Sequence, residues 1–491
     1  LRVTKGDVLW NYGATFMRVA SALIVLPLIL RMLPEEEVGL WTVMIGLNSM
    51  IYLLDFGFFQ TFSRAVIYIF SGARSLEKEG FKPVEPGSPV SYGLLNGVLK
   101  AMRRFYGAVS LVLFIILVTG GVWYINRLLT GFSGDPETAK VAWFSYGLLL
   151  CYQFYTYYYD ALLVGRGMIK RSRQIIVFSQ SLHILISSIL LIFGLGIISM
   201  VVGQSVATLV NRALARRAFY DPDVTRRLND AESEKAESQH AESQHAESEH
   251  SGSQEWRSIL KTLFNTAYKS GLASLSWIFT NRMLAIIGAL YIPLSTMASY
   301  GITKQITDIT ITLSAVWFAT YYPKLTGEQI RNSIGEVKRI YIKAQIIALA
   351  VFIAVTLSVV FAAEPLLLFI GSSTTLLPMN LMLLLFIASL FESLTQLSTS
   401  VLMSRNEVPH YKAQMVTAIT ALLVMVLALR FSDGGVTLLV VIPFAAQLVY
   451  QHWRWTLKVW RELGIKPKDY LSGIKSVYKS IPVLNDNYKQ N

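Results

Sequence analysis

Eight ionisable side chains sit inside long apolar runs of this 491-residue chain: Arg18, Lys269, Arg282 and Lys304, and Asp55, Asp160, Asp308 and Glu392. At mid-membrane each basic group costs about 2.5–3.5 kcal/mol even on a lenient insertion scale, so four facing lipid would cost on the order of 10 kcal/mol. They are therefore expected to face a wet cavity or a partner. A basic cavity attracts an anionic passenger such as a phosphate or pyrophosphate, because Coulomb attraction is screened less there than in water. Arg adds paired donors for phosphate oxygens. The carboxylates can bind a coupling Na+ or H+, or can be structural partners of the basic groups. Lys304 and Asp308, four apart on one helix, can neutralise each other, and Lys269, near a helix end, can snorkel. Tyr155 and Tyr159, in the run CYQFYTYYYD, offer aromatic faces for sugar rings, or else an interfacial belt or simple packing.

The signatures of other chemistry are missing. The sequence has no phosphate-cradling Walker loop, no dinucleotide fingerprint and no zinc-ligand spacing, so no enzyme activity, metal or cofactor is expected beyond a coupling cation. His240, His245 and His250 recur every five residues without other strong ligands and read as part of a solvated linker. His183 and His452 have no ligand-like neighbours and are expected to pack in a core or an interface.

The elements that must hold these groups are twelve apolar runs. Six lie near residues 8–32, 38–63, 105–126, 141–164, 174–193 and 195–215, and six near 260–291, 296–322, 341–363, 376–403, 411–430 and 435–455. A hydrocarbon core of about 30 Å needs roughly 20 helical residues, so each run can span it. Composition agrees: 53% hydrophobic and only 15% charged residues describe an all-α integral membrane protein rather than a soluble domain. Of 44 Lys and Arg residues, 36 fall on one side of this pattern, four lie within spans, and only Arg31, Arg127, Lys140 and Arg430 lie on the other side. Basic loops stay cytoplasmic, so both termini are expected inside. The net charge of +13 then reflects loops facing an anionic leaflet and not nucleic acid. Cys151 is the sole cysteine and excludes an intrachain disulfide. The first apolar run is too long for a cleavable signal peptide, lacks a small-residue cleavage site, and reads as an uncleaved anchor.

Composition divides the chain into a six-helix lobe over 1–218, a linker over 219–256, a second six-helix lobe over 257–460 and a tail over 461–491. The linker carries AESEK, AESQH, AESQH and AESEH, which offer no apolar face, and is expected to be a flexible cytoplasmic tether. The two lobes look related. ALLVGRGMIKRSRQIIV aligns without gaps on SVLMSRNEVPHYKAQMV, pairing Leu163 with Leu402 and Arg166 with Arg405. Six helices per half keep both repeats in one orientation, an arrangement that places a cavity between two pseudo-symmetric lobes. The extra loop from Ser71 to Ser91 and the stretch after Tyr470 are expected to be amphipathic surface segments or contacts for cytoplasmic partner proteins.

The opening LWNYGATFMRVASALIVLPLILRMLPEEEVGLWTVMIGLNSMIYLLDFGFFQTFSR resembles that of polysaccharide repeat-unit (Wzx-type) flippases of the multidrug/oligosaccharidyl-lipid/polysaccharide exporter superfamily. YGITKQITDITITLSAVWFATYYPKL and VLMSRNEVPHYKAQM carry the resemblance into the second half. It implies V-shaped lobes and alternating access in a bacterial inner membrane, with polysaccharide assembly enzymes as partners. The passenger it implies is an undecaprenyl-pyrophosphate-linked oligosaccharide, an O-antigen or capsule precursor for lipopolysaccharide or polysaccharide biosynthesis, captured by Arg18, Lys269, Arg282 and Lys304. Lipid II flippases of that family carry two further helices, which this chain lacks. A multidrug antiporter of the same superfamily is the alternative, and the four buried basic groups argue against its cationic drugs. A membrane glycan polymerase or ligase is a third class, disfavoured by the short outer loops.

Overall fold

The computed structural model describes every residue except 1–3, 5, 18–31, 35, 36, 39, 42, 46–51, 86, 130–133, 243–250, 289, 290, 371–375, 433 and 481–491. It divides into two compact units. The first comprises Leu1–Lys78 and Lys82–Ala267, the second Glu79–Phe81 and Tyr268–Asn491. The described residues are helical throughout apart from turns and loops. Seven of the described helical stretches are long and apolar enough to cross a bilayer.

In unit 1 the helices are α1 (Phe58–Phe70), α2 (Tyr92–Ile116), α3 (Val122–Leu128), α4 (Pro136–Tyr155), α5 (Tyr158–Gly165), α6 (Ile169–Ile192), α7 (Ile197–Phe219) and α8 (Pro222–Glu242), followed by the start of α9 (Ser251–Ile278). A π-helical turn, Leu117–Gly121, joins α2 to α3. Local chemistry sets these boundaries. Asp135 starts α4 by accepting from the amides of Glu137 and Thr138 at 3.1 and 3.2 Å, ahead of Pro136, whose missing N–H costs nothing there. The expected run 38–63 is interrupted: Phe56 and Gly57 take φ of 46° and 80°, and α1 begins only after them. The run 141–164 also breaks, between α4 and α5. There the Thr156 hydroxyl donates to the Tyr152 carbonyl at 2.7 Å and competes with the helical ladder. The first AES pentads continue α8 as helix through Glu242, in keeping with their Ala, Glu and Lys content.

Two apolar clusters hold unit 1 together. One gathers α1, α2, α5 and the end of α7 around Phe62, Tyr106, Leu162 and Phe219. The other gathers Trp41, Met44, Trp143, Tyr146 and Met200. The most extensive helix pair joins α6 and α7.

Unit 2 continues from α9 through a second π-helical turn, Phe279–Met283, into α10 (Leu284–Gly288), α11 (Leu294–Ile330), α12 (Ile334–Ile370), α13 (Met379–Met403), α14 (Tyr411–Phe431), α15 (Gly435–Leu448), α16 (Gln451–Glu462) and α17 (Pro467–Ser480). Its cores surround Phe352, Phe386 and Met425 on one side and Tyr341, Val401 and Trp455 on another. The aligned segments adopt the same local structure in both units. Gly167 and Asn406, one residue after the paired arginines, are both left-handed, with φ of 78° and 60°. Arg166 reaches Asp221, just past α7, at 2.7 Å, and Arg405 pairs with Glu462 at the end of α16. An internal repeat explains this coincidence of backbone and ion pair.

The stretch after Tyr470 packs as α17 on α12. Lys338 Nζ meets Asp469 Oδ2 at 2.7 Å and the Gly464 carbonyl at 2.9 Å, while Tyr470 donates to Gln345. The hydrogen bond from Lys338, and then that from the Lys466 amide, hold the Asp469 carboxyl below the usual carboxylate range. A depressed folded value means that this contact stabilises docking above the unfolded carboxylate pKa of about 3.9 and is lost as pH falls through the lower folded value. Lys338→Ala is expected to raise amide exchange in α17 by roughly an order of magnitude at neutral pH. In wild type the same rise should come only in acid. Hydrogen–deuterium exchange across a pH series reads both, and equal exchange in the two proteins at neutral pH would refute the contact's role.

Candidate functional site

In unit 2 the charges expected inside spans converge. The π turn after α9 carries Arg282, whose side chain is 58% exposed and whose Nη2 lies 3.1 Å from Asp308 Oδ2. On α11, Lys304 is nearly buried and places Nζ 2.5 Å from the other oxygen of Asp308. One carboxylate thus receives two cations, one along its own helix and one from the π turn. A π turn adds a residue to the ladder and re-aims the side chains beyond it, a common device at functional sites. From α13, buried Glu392 accepts from Trp277 Nε1 at 2.5 Å and from Gln396 Nε2 at 3.3 Å.

Two of these groups, Lys304 and Glu392, border a cavity of about 30 Å3 whose wall also includes Asn281, Tyr300, Gln447 and His452. At about 10–15 Å3 per accommodated water, it takes two or three waters or one small ion. With all four ionised, Arg282 and Lys304 balance Asp308 and Glu392. Sequence reasoning missed Trp277, Asn281, Gln396 and Gln447, and passed over His452, whose Nδ1 lies 3.1 Å from the Thr395 hydroxyl. Trp277 and Arg282 are five apart, a spacing that shares a face only once the π turn is known.

The remaining expected residues lie elsewhere. Lys269 pairs with Glu79 at 2.9 Å, beside the Gly80 carbonyl that accepts from Asn406 Nδ2. Arg18 lies outside the described residues. In unit 1, Asp55 accepts from the Phe59 amide at 2.9 and 3.0 Å and from the Tyr106 hydroxyl at 2.6 Å, and so caps α1. Asp160 binds Arg212 at 2.7 Å, pinning α5 to α7; Arg212 stands at the end of the expected run 195–215 and is counted with the cytoplasmic residues that follow it, so this pair is not visible in sequence. Tyr159 is packed between Tyr158 and Tyr220, whereas Tyr155 is 39% exposed.

All three described basic residues of the expected anion site therefore have carboxylate partners, and the charge argument for a pyrophosphate passenger loses its ground there. The same pairing removes the objection to cationic passengers.

No protein-family model matches the chain, and no curated protein does. Solved structures do. A multidrug resistance MATE family transporter of the MOP superfamily, in an outward-facing conformation, matches with a TM-score of 0.63 at 14% identity, over 94% of this chain and 99% of the other. A MOP superfamily transporter from Pyrococcus furiosus, whose binding pocket is described as reversed in polarity, matches at 0.62 and 15%, over the same shares. The Vibrio cholerae MATE transporter VcmN in its bent form matches at 0.59 and 16%, over 93% and 98%. These likenesses correct the family expectation. The fold matches lie with MATE transporters and not with polysaccharide repeat-unit flippases, so the O-antigen or capsule function and the undecaprenyl-pyrophosphate-linked passenger are withdrawn. What the comparisons establish is the fold: this chain is a multi-pass, all-α membrane protein built like the MATE transporters of the MOP superfamily.

Proposed function

We propose that the chain is a cation-coupled antiporter that exports small amphipathic molecules by alternating access. The observation that carries this reading is the cluster in which Arg282 and Lys304 share Asp308, with Lys304 and Glu392 lining a cavity sized for a small ion. An entering Na+ or H+ competes with Lys304 and Arg282 for Asp308, and releasing Arg282 loosens what holds the π turn against α11. The likeness to MATE transporters supports the transport class, and the asymmetry of basic loops supports a bacterial inner membrane with both termini cytoplasmic.

The test is efflux of ethidium from proteoliposomes under an imposed Na+ or proton gradient. Wild type should move dye faster with the gradient than without it. Glu392→Gln keeps the shape and the acceptor oxygen but cannot exchange a cation, and should lower gradient-driven flux by about tenfold or more while uncoupled binding persists. Dye movement indifferent to both gradients, or undiminished in the variant, would remove the proposal.

A further inference from the structure

Unit 1 contains a second cavity that the transport reading does not use. It holds about 530 Å3, and its described wall is mostly apolar, with Leu113, Ile116 and Leu117 from α2 and the π turn facing Trp143, Gly147 and Leu150 on α4. That volume lies within the roughly 300–1,000 Å3 of small-molecule sites. The side chains at its mouth, Ile116 and Leu54, are 53% and 44% exposed, and α2 through α3 is one of the membrane-crossing stretches. The opening therefore faces lipid.

The wall carries one unmet polar demand. Trp143 is only 4% exposed, and its indole N–H has no hydrogen-bond partner. It points at the glycine wall: a Cβ on Gly121 would stand 3.5 Å from Nε1. Gly120 has open space where its side chain would be, and Tyr124 stacks on Trp143 at 5.6 Å. A buried donor without an acceptor costs free energy comparable to a lost hydrogen bond, so an occupant that brings one acceptor on a hydrocarbon body is favoured.

The geometry points to a bound membrane glycerolipid, one acyl chain in the cavity and its ester carbonyl accepting from Trp143 Nε1. The bilayer supplies that molecule at the mouth, and no other occupant with one acceptor and a long apolar body is as abundant there. The site lies within unit 1, shares no residue with the cluster of unit 2, and does not depend on the coupling reading.

The test uses full-length protein in phosphatidylglycerol vesicles doped with a phosphatidylglycerol carrying a diazirine on one acyl chain. After irradiation, adducts are mapped by peptide mass spectrometry. Wild type should label residues 113–124 and 143–151 saturably. Gly120→Leu, whose Cβ meets nothing within 4 Å and whose side chain narrows the cavity, should reduce that labelling severalfold, and Trp143→Phe should weaken it about fivefold. An ether-linked analogue without the carbonyl should label wild type as weakly as the ester labels Trp143→Phe, and should not distinguish the two proteins. Labelling unchanged in Gly120→Leu, or equal for ester and ether lipids in wild type, would overturn the inference. Monodisperse size-exclusion profiles and melting temperatures close to wild type in both variants show that they are folded.

Discussion

Asp308→Ala is expected to lower the stability of the protein by about 3 kcal/mol, near the lower end of what breaking a buried ion pair costs. The loss comes from Lys304, whose side chain is 12% exposed and which is left without its 2.5 Å partner. Arg282 adds little, because its side chain is more than half exposed and turns to water. The cluster then carries one surplus positive charge beside Glu392. Removing the second charge as well tests the cause: Asp308→Ala combined with Lys304→Met leaves no orphaned ion and should regain most of the loss. Melting of the purified variants, followed by size-exclusion fluorescence, measures both. A single variant that melts with wild type, or a double variant no better than the single, would refute the ion-pair account.

Gly203→Val should be of similar size for a steric reason. A Cβ at Gly203 would stand 2.1 Å from Ser187 Oγ, and 3.1 and 3.2 Å from the Ser187 nitrogen and the His183 carbonyl. The nearest obstacles include backbone, so a rotamer change cannot relieve the contact, and α6 and α7 must separate. Small residues at membrane helix crossings allow that approach where lipid offers no hydrophobic drive between helices. Overpacking costs about 1–3 kcal/mol, and the backbone contacts put this case at the top of that range. Gly203→Ala should be milder, and Ser187→Ala added to it should recover part of the loss. Melting temperatures that do not follow that order would place the close approach elsewhere.

Hydropathy and charge made much of the fold legible. The runs expected at 174–193, 376–403 and 411–430 coincide closely with α6, α13 and α14, since each is one uninterrupted apolar helix. The breaks were hidden, because they depend on single residues: a left-handed Gly57, a Thr156 hydroxyl turned back on its own helix, and two π turns. The site was half legible. Lys304 and Asp308 announced their pairing by spacing, but the third member, Arg282, lies 26 residues before Asp308 and reaches it only through tertiary packing. Glu392 was visible as a misplaced charge, and its Trp277 partner, 115 residues away, was not. The preference for an anionic passenger over cationic drugs leaned on unpaired basic residues, a property that sequence cannot supply.

The balance of charge in the unit 2 cluster bears on how the membrane potential acts. Moving one elementary charge through the field involves about 2.3 kcal/mol per 100 mV. With all four ionised, Arg282, Lys304, Asp308 and Glu392 carry no net charge between them, so a rearrangement that moves them together does almost no electrical work. On the proposed coupling, voltage would then act on the cation that enters, and the return of the empty cluster would be indifferent to polarity.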